Sequence, residues 1–157
     1  MSNEEIDNKI SLRFRQTHSA LMNQPTPQGE PTPQWALAAV IVLDQFSRNM
    51  FRGDKAAFAG DPSALKITKA AIAGEFDKTM SAQQRQFLYM PLMHSENLED
   101  QDRCVELFTE LGLQQHAIEH RDIVARFGRF PHRNAVLGRE STAVEIEYLK
   151  NAKRFGQ

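Results

Sequence analysis

A chain of 157 residues can bury one hydrophobic core but is short for two, and 41% hydrophobic with 25% charged residues excludes a mainly disordered protein. Nineteen basic against twenty acidic residues leave a net charge of -1, so the overall balance does not point to a nucleic-acid or membrane-surface protein. A single cysteine, Cys104, excludes an internal disulfide and fits a reducing, cytoplasmic compartment.

In chain order, Ser2 with Glu5 reads as a capping box opening a helix through about Leu21, with Ile6, Ile10 and Phe14 at helical spacing. Residues 2–16 are charged throughout, which leaves no apolar stretch for a signal peptide. Pro25, Pro27, Gly29 and Pro31 make residues 23–32 a linker. Thr32 then caps a second helix with Pro33 at its first position. This helix is apolar on every side from Trp35 to Leu43 and should be central, yet the run is too short to span a bilayer.

Asp61-Pro62 repeats the cap-plus-proline device and starts a third helix through Leu65, Ile67 and Ile72, ending at Gly74. Ser81 and Gln84 form a capping box ahead of Phe87, Leu88, Met90 and Leu92, and Pro91 should kink or end that helix early. Asn97 to Asp102 reads as a solvated acidic helix start. Val105, Leu107, Phe108 and Leu111 mark a fifth helix closed by Gly112, with Cys104 inert against its core. A sixth helix runs from about Leu113 to Phe127 and stops at Gly128, and Thr142 with Glu145 caps the last. No segment alternates as a strand does, and no Asn-Gly or Asp-Gly hairpin turn appears. The expectation is an all-α domain over residues 1–157, built of antiparallel helix pairs in a compact, tetratricopeptide-like right-handed array. The pairs recur at a spacing of roughly 30–45 residues, without the sequence signature of such repeats.

Polar residues on apolar faces mark the candidate site. Asp44 and Arg48, four apart on the second helix, should form a buried ion pair holding the following loop. Arg48, Asn49 and Arg52 crowd one helix end, where an anion could be held. His94 shares a face with Phe87 and Met90 and should look inward as a hydrogen-bonded core residue, with Glu96 as a counter-charge for Arg121 or His120. His120 lies at the angle of Val124 and Phe127, and Arg121 beside Ala117 and Ala125, so both point where a core belongs. A buried cation without a partner costs several kcal/mol, which calls for acidic partners or an anionic ligand.

Arg129, His132, Arg133 and Asn134 gather where Gly128 ends one helix and Pro131 can begin a short one. They form either an anion-binding corner or a set of carbonyl caps bridging Asp122, Glu119 or Asp44, with Phe127 and Phe130 as anchors. Arg48, His94, His120, Arg121, Arg129, His132 and Arg133 outnumber Asp44, Glu96 and Asp122, so one shared cavity holding an anion is expected. His116-Ala117-Ile118-Glu119-His120 matches the H-x-x-E-H pattern of inverted zinc peptidases, but no third ligand is assigned, and we read neither metal nor cofactor there.

Leu43-Asp44-Gln45-Phe46-Ser47-Arg48-Asn49 with Arg52-Gly53, the segment Phe87 to Glu96, and the segment His120 to Asn134 resemble three signatures of the bacterial domain-of-unknown-function family 924. The resemblance runs from about Ile6 to Phe155 and implies a helical fold similar to the tetratricopeptide-like superfamily, but no reaction. Ser47 stands where that family commonly has proline, which implies a looser helix end. The family's aromatic-rich segment upstream of the first helix has no counterpart in these residues, and His116 lies outside the matching motif. Two functional expectations follow. One is a protein binding an anionic small molecule or a peptide carboxylate, without nucleic acid or membrane. The other is a hydrolase or transferase using His120 or His132 as general base, oriented by Asp122, Asp44 or Glu96. Nothing in the chain reads as a nucleophile setting, a phosphate loop or a cofactor fingerprint.

Overall fold

In the computed structural model, which describes residues 3–152, every regular element among the described residues is helical. The order is α1 (Asn3–Asn23), α2 (Pro33–Val40), a π-helical turn (Ile41–Phe46), α3 (Ser47–Met50), α4 (Asp61–Ala73), α5 (Ala82–His94), α6 (Leu98–Glu110), α7 (Gln114–Phe127) and α8 (Ala143–Leu149). Short 3-10 turns at Lys55–Phe58, Phe76–Thr79 and Pro131–Arg133 fill three of the connections. No helix of the described residues is long and apolar enough to cross a membrane. Ser2 of the first expected capping box lies outside the described residues.

Local chemistry sets most of the boundaries. Thr32 Oγ1 accepts the Trp35 amide, and reciprocal capping boxes at Ser81–Gln84 and Thr142–Glu145 start α5 and α8. Gly128 closes α7 at φ 69°, a left-handed conformation that a β-carbon disfavours. The apolar rod of α2 and the π turn is central, as its sequence demands. Ala36, Ala39, Val40 and Leu43 pack with Ala64 and Ile67 of α4, Leu88, Tyr89 and Leu92 of α5, Cys104, Leu107 and Phe108 of α6, and Ala117 of α7. Each large apolar side chain buried there contributes about 1.5–3 kcal/mol. Cys104 is enclosed, and burial pushes its thiol up to about 12, which leaves it unreactive. A smaller cluster of Ile123, Val124 and Phe130, flanked by Phe127 and Tyr148, fixes the segment after α7.

Three expectations are corrected. Of the two outcomes expected at Pro91, a kink or an early end, the end is overturned, because α5 continues through it to His94. Neighbouring elements hold the backbone on both sides of the proline: Thr68 Oγ1 donates to the Leu88 carbonyl (2.8 Å). The buried Gln101 amide donates to the carbonyls of Met93 (2.7 Å) and Ser95 (2.6 Å). The Asn97–Asp102 start is not simply solvated, because Asp100 is buried against Lys69 Nζ (2.5 Å) and Ser95 Oγ (2.8 Å). Finally, Asp61 is the first residue of α4 and not its cap, a position taken by Gly60. Gly60 sits so close to the π turn that a β-carbon would fall 2.4 Å from the Leu43 carbonyl oxygen, and only glycine fits. That close approach carries Asp61 to the polar side of the rod.

Candidate functional site

The π turn is the origin of the site. One extra residue per turn, a device frequent at functional positions, occurs where Asp44 lies. Asp44 is fully buried, and its carboxylate accepts a hydrogen bond from His94 Nδ1 at 2.7 Å and another from the Gln45 side-chain amide. Burial alone would raise its pKa, but the charge and hydrogen bond of His94, then Arg48 and Gln45, hold it below the ordinary carboxylate value. The expected Asp44–Arg48 pair is the weaker contact, at 3.6 Å. Arg48 turns instead to Asp61, at 2.9 Å (Nη2 to Oδ2) and 2.8 Å (Nη1 to Oδ1), and donates to the Ala57 carbonyl.

Arg133 reaches the same place from the other end of the chain. Arg133 is 8% exposed, and its guanidinium lies against the rings of Phe58 (4.8 Å) and Phe130 (4.6 Å), while Arg48 covers Phe58 at 4.6 Å. Arg133 Nη1 donates to the His94 carbonyl (3.0 Å) and stands 3.5 Å from Asp61 Oδ2. Its Nε is enclosed and meets no acceptor among the described residues. Burial, partly opposed by Asp61, brings the Arg133 pKa down to about 10. His120 and His132 complete the aromatic wall, their rings 5.7 Å and 5.5 Å from Phe130, and the His120 ring lies 6.4 Å from His94. His120 Nδ1 bonds the His116 carbonyl at 2.8 Å. Burial, reinforced by neighbouring cations, holds both His120 and His132 near a pKa of 4, so both are neutral imidazoles at pH 7.

Beside this wall Glu96 pairs with Arg139 at 2.6 Å and 2.9 Å and accepts the Phe130 amide at 2.8 Å. Its counter-charge is thus neither Arg121 nor His120. Asn134 joins the same group by accepting from Arg139 Nε (3.0 Å) and donating to Ser141 Oγ (3.0 Å). Arginines 48, 133 and 139 therefore face carboxylates 44, 61 and 96, and the cluster carries no surplus of positive charge. Asp61 and Arg139 are the two residues that the sequence reading missed. Asp61 presented itself as a cap, and Arg139 sits in an irregular turn where no periodicity assigns a direction.

Four expected members lie elsewhere. Arg121 is at the surface with Asp102 (2.9 Å) and Asp122 (3.3 Å), because its long side chain can leave the helix face and reach α6. Asp122 is itself exposed, and so cannot orient a buried histidine. Arg129 chelates Glu145 at 2.7 Å and 2.8 Å, holding that carboxyl down at about 2, and also caps the Glu140 carbonyl. Asn49 turns to Asp7 of α1 (2.8 Å), beside Arg52. Ser47, in place of the family's proline, does not loosen the helix: its hydroxyl donates to the Leu43 carbonyl (2.6 Å) and meets His18 Nε2 (2.8 Å). In the H-x-x-E-H stretch the His116 side chain is 77% exposed, while the His120 ring is buried. No three metal-binding side chains group together among the described residues.

A fold whose described elements are all helical, and whose interior gathers three histidines and two arginines from its three longest motifs, with Arg139 added from the turn beyond them, defines a class by architecture. This chain belongs to the bacterial proteins of unknown function DUF924, whose family model matches residues 1–153. It is similar to the solved structure of a protein of unknown function from Agrobacterium tumefaciens, with 40% sequence identity and a TM-score of 0.90 over 95% of this chain and 86% of that one. No functionally curated protein matches it.

Proposed function

We propose that the protein binds a small molecule bearing one carboxylate against Arg133, on the side of the cluster formed by His94 and Asp61. The observation that carries the reading is the enclosed Arg133 Nε, a charged donor with no acceptor among the described residues. A buried donor left unmatched costs about 1–3 kcal/mol, so an incoming acceptor is favoured there beyond its Coulomb attraction. His94 and Asp61 are 17% and 21% exposed and give the cluster its open side. The balance of arginines and carboxylates favours a singly charged group at Arg133, a carboxylate, over doubly charged phosphate. The planar fork of arginine suits a carboxylate held through two parallel bonds. A cytoplasmic setting belongs to the same reading, supported by the lone buried thiol of Cys104.

Isothermal titration with succinate, acetate and inorganic phosphate tests this. Succinate and acetate should bind saturably and phosphate more weakly. Arg133→Lys should weaken succinate by about ten- to a hundred-fold, as expected for a charge-assisted hydrogen bond of about 1.5–3 kcal/mol. Equal affinity in the variant and the native protein would remove Arg133 from the site.

A further inference from the structure

Asp44 and His94 together meet the requirements of an oriented proton acceptor. A buried, ionised carboxylate can only accept, so the shared proton lies on His94 Nδ1 at 2.7 Å from Asp44 Oδ1. In its neutral form the ring therefore keeps its proton on Nδ1 and carries its lone pair on Nε2, on a side chain that is 17% exposed. The carboxylate is itself immobilised by Gln45 and, more distantly, by Arg48, and it sits on a rigid rod in the centre of the molecule. Arg133 donates to the backbone carbonyl of His94, so the guanidinium and this histidine belong to one cluster. His120, whose ring centre is 6.4 Å away, stays neutral through burial and so does not oppose the charge that His94 would gain.

We infer that His94 is the general base, and Asp44 its positioning residue, for hydrolysis of an ester whose acid portion carries a second, free carboxylate anchored at Arg133. The inference rests on the ligand reading above. In the step, a water molecule gives one proton to His94 Nε2 as its oxygen forms a bond to the ester's acyl carbon. The bond from that carbon to the alcohol oxygen then breaks, and the imidazolium returns its proton to the departing alkoxide. Water is added across the ester, the histidine is restored, and no electron donor or acceptor is required. This differs from a base at His120 or His132, since neither is the histidine that the buried carboxylate holds.

Mono-4-nitrophenyl succinate, an ester with a free carboxylate, is the probe. The native protein should release 4-nitrophenolate, and His94→Gln should lower kcat by at least about a hundred-fold, the scale of general-base catalysis, with succinate binding retained. Arg133→Lys should raise KM while largely keeping kcat. Independently of any variant's folding, the imidazole nitrogen-15 spectrum of the native protein should show His94 protonated at Nδ1 and unprotonated at Nε2. Asp44→Asn should lower kcat with little change in KM and abolish that signature. Hydrolysis no faster than by free imidazole, an undiminished rate in His94→Gln, or a His94 protonated at Nε2 would overturn the inference. Loss of rate in His94→Gln with KM unaffected by Arg133→Lys would keep the base and remove the carboxylate anchor. Succinate binding without hydrolysis would do the reverse.

Discussion

One motif, Leu43 to Gly53, supplies two polar regions of opposite character. Its outer half clamps α1: Arg52 bonds Asp7 at 2.8 Å and 3.1 Å, Asn49 bonds the same carboxylate, and Ser47 meets His18. Phe14 against Phe46 (4.7 Å) and His18 against Phe51 (5.3 Å) close the joint. Donors and acceptors match across this clamp, and its role is to fasten one helix to another. The inner half sends Asp44 and Arg48 the other way, into a cluster walled by Phe58 and Phe130, with a guanidinium whose Nε is unmatched and a histidine held by a buried carboxylate. Polar residues that complete one another build structure, whereas a buried set left with spare donor capacity points to a ligand.

Acidification should break this contrast most severely. His120 and His132 have folded pKa values near 4 against an ordinary 6.5, so below pH 6.5 the unfolded chain binds protons that the folded one excludes. Their stabilisation is present above pH 6.5 and lost as pH falls from 6.5 to 4, at a rate approaching about 1.4 kcal/mol per pH unit for each histidine. His18 of the clamp, also lowered by burial, adds to the loss with the same sign. Urea unfolding at a series of pH values should show the decline, and His120→Gln with His132→Gln should flatten most of it. A stability that is level between pH 6.5 and 4 would mean that these rings already carry protons in the folded state.

Single-residue removal separates the two regions next. Asp44→Ala and Arg48→Ala should each lose about 3–5 kcal/mol, because the surviving partner is left charged and desolvated. Arg52→Ala in the clamp should lose less than about 1 kcal/mol, since its side chain is 40% exposed and the pair is screened. Comparable losses at all three positions, measured by denaturant unfolding, would erase the distinction. A smaller effect is expected from Gly60→Ala, about 1–3 kcal/mol for an intrusion against the Leu43 carbonyl. Because that intrusion would also shift Asp61 away from Arg48 and Arg133, succinate affinity should change with it, while the Arg52–Asp7 pair stays intact.

The caps were readable because a few atoms decide them: Thr32, Ser81 and Thr142 each satisfy amides within three residues, and Gly128 needs no partner beyond its own backbone. Asp44 and His94 were readable as polar residues on apolar faces, which require compensation wherever they land, and Arg133 as one of a group of polar residues gathered at a turn. What compensates them was not, because partners far apart in sequence are chosen by the fold. Asp61 served equally well as a cap in sequence, and its true position follows from the contact between Gly60 and Leu43. Arg121 has a side chain long enough to leave the face that its helix angle assigns and found Asp102 at the surface, while Arg129, past the end of α7, found the buried Glu145. Pro91 ends isolated helices, but α5 runs through it to His94 here, with Thr68 and Gln101 donating to carbonyls on either side.

The guanidinium Nε–H resonances report on both regions in one spectrum, with Arg133→Lys identifying the signal from the cluster. On titration with succinate, the Arg133 Nε–H should move along a saturating curve while that of Arg52 stays fixed. An Arg133 signal that does not move, or one that drifts with Arg52 in proportion to added salt, would contradict a ligand site at the cluster.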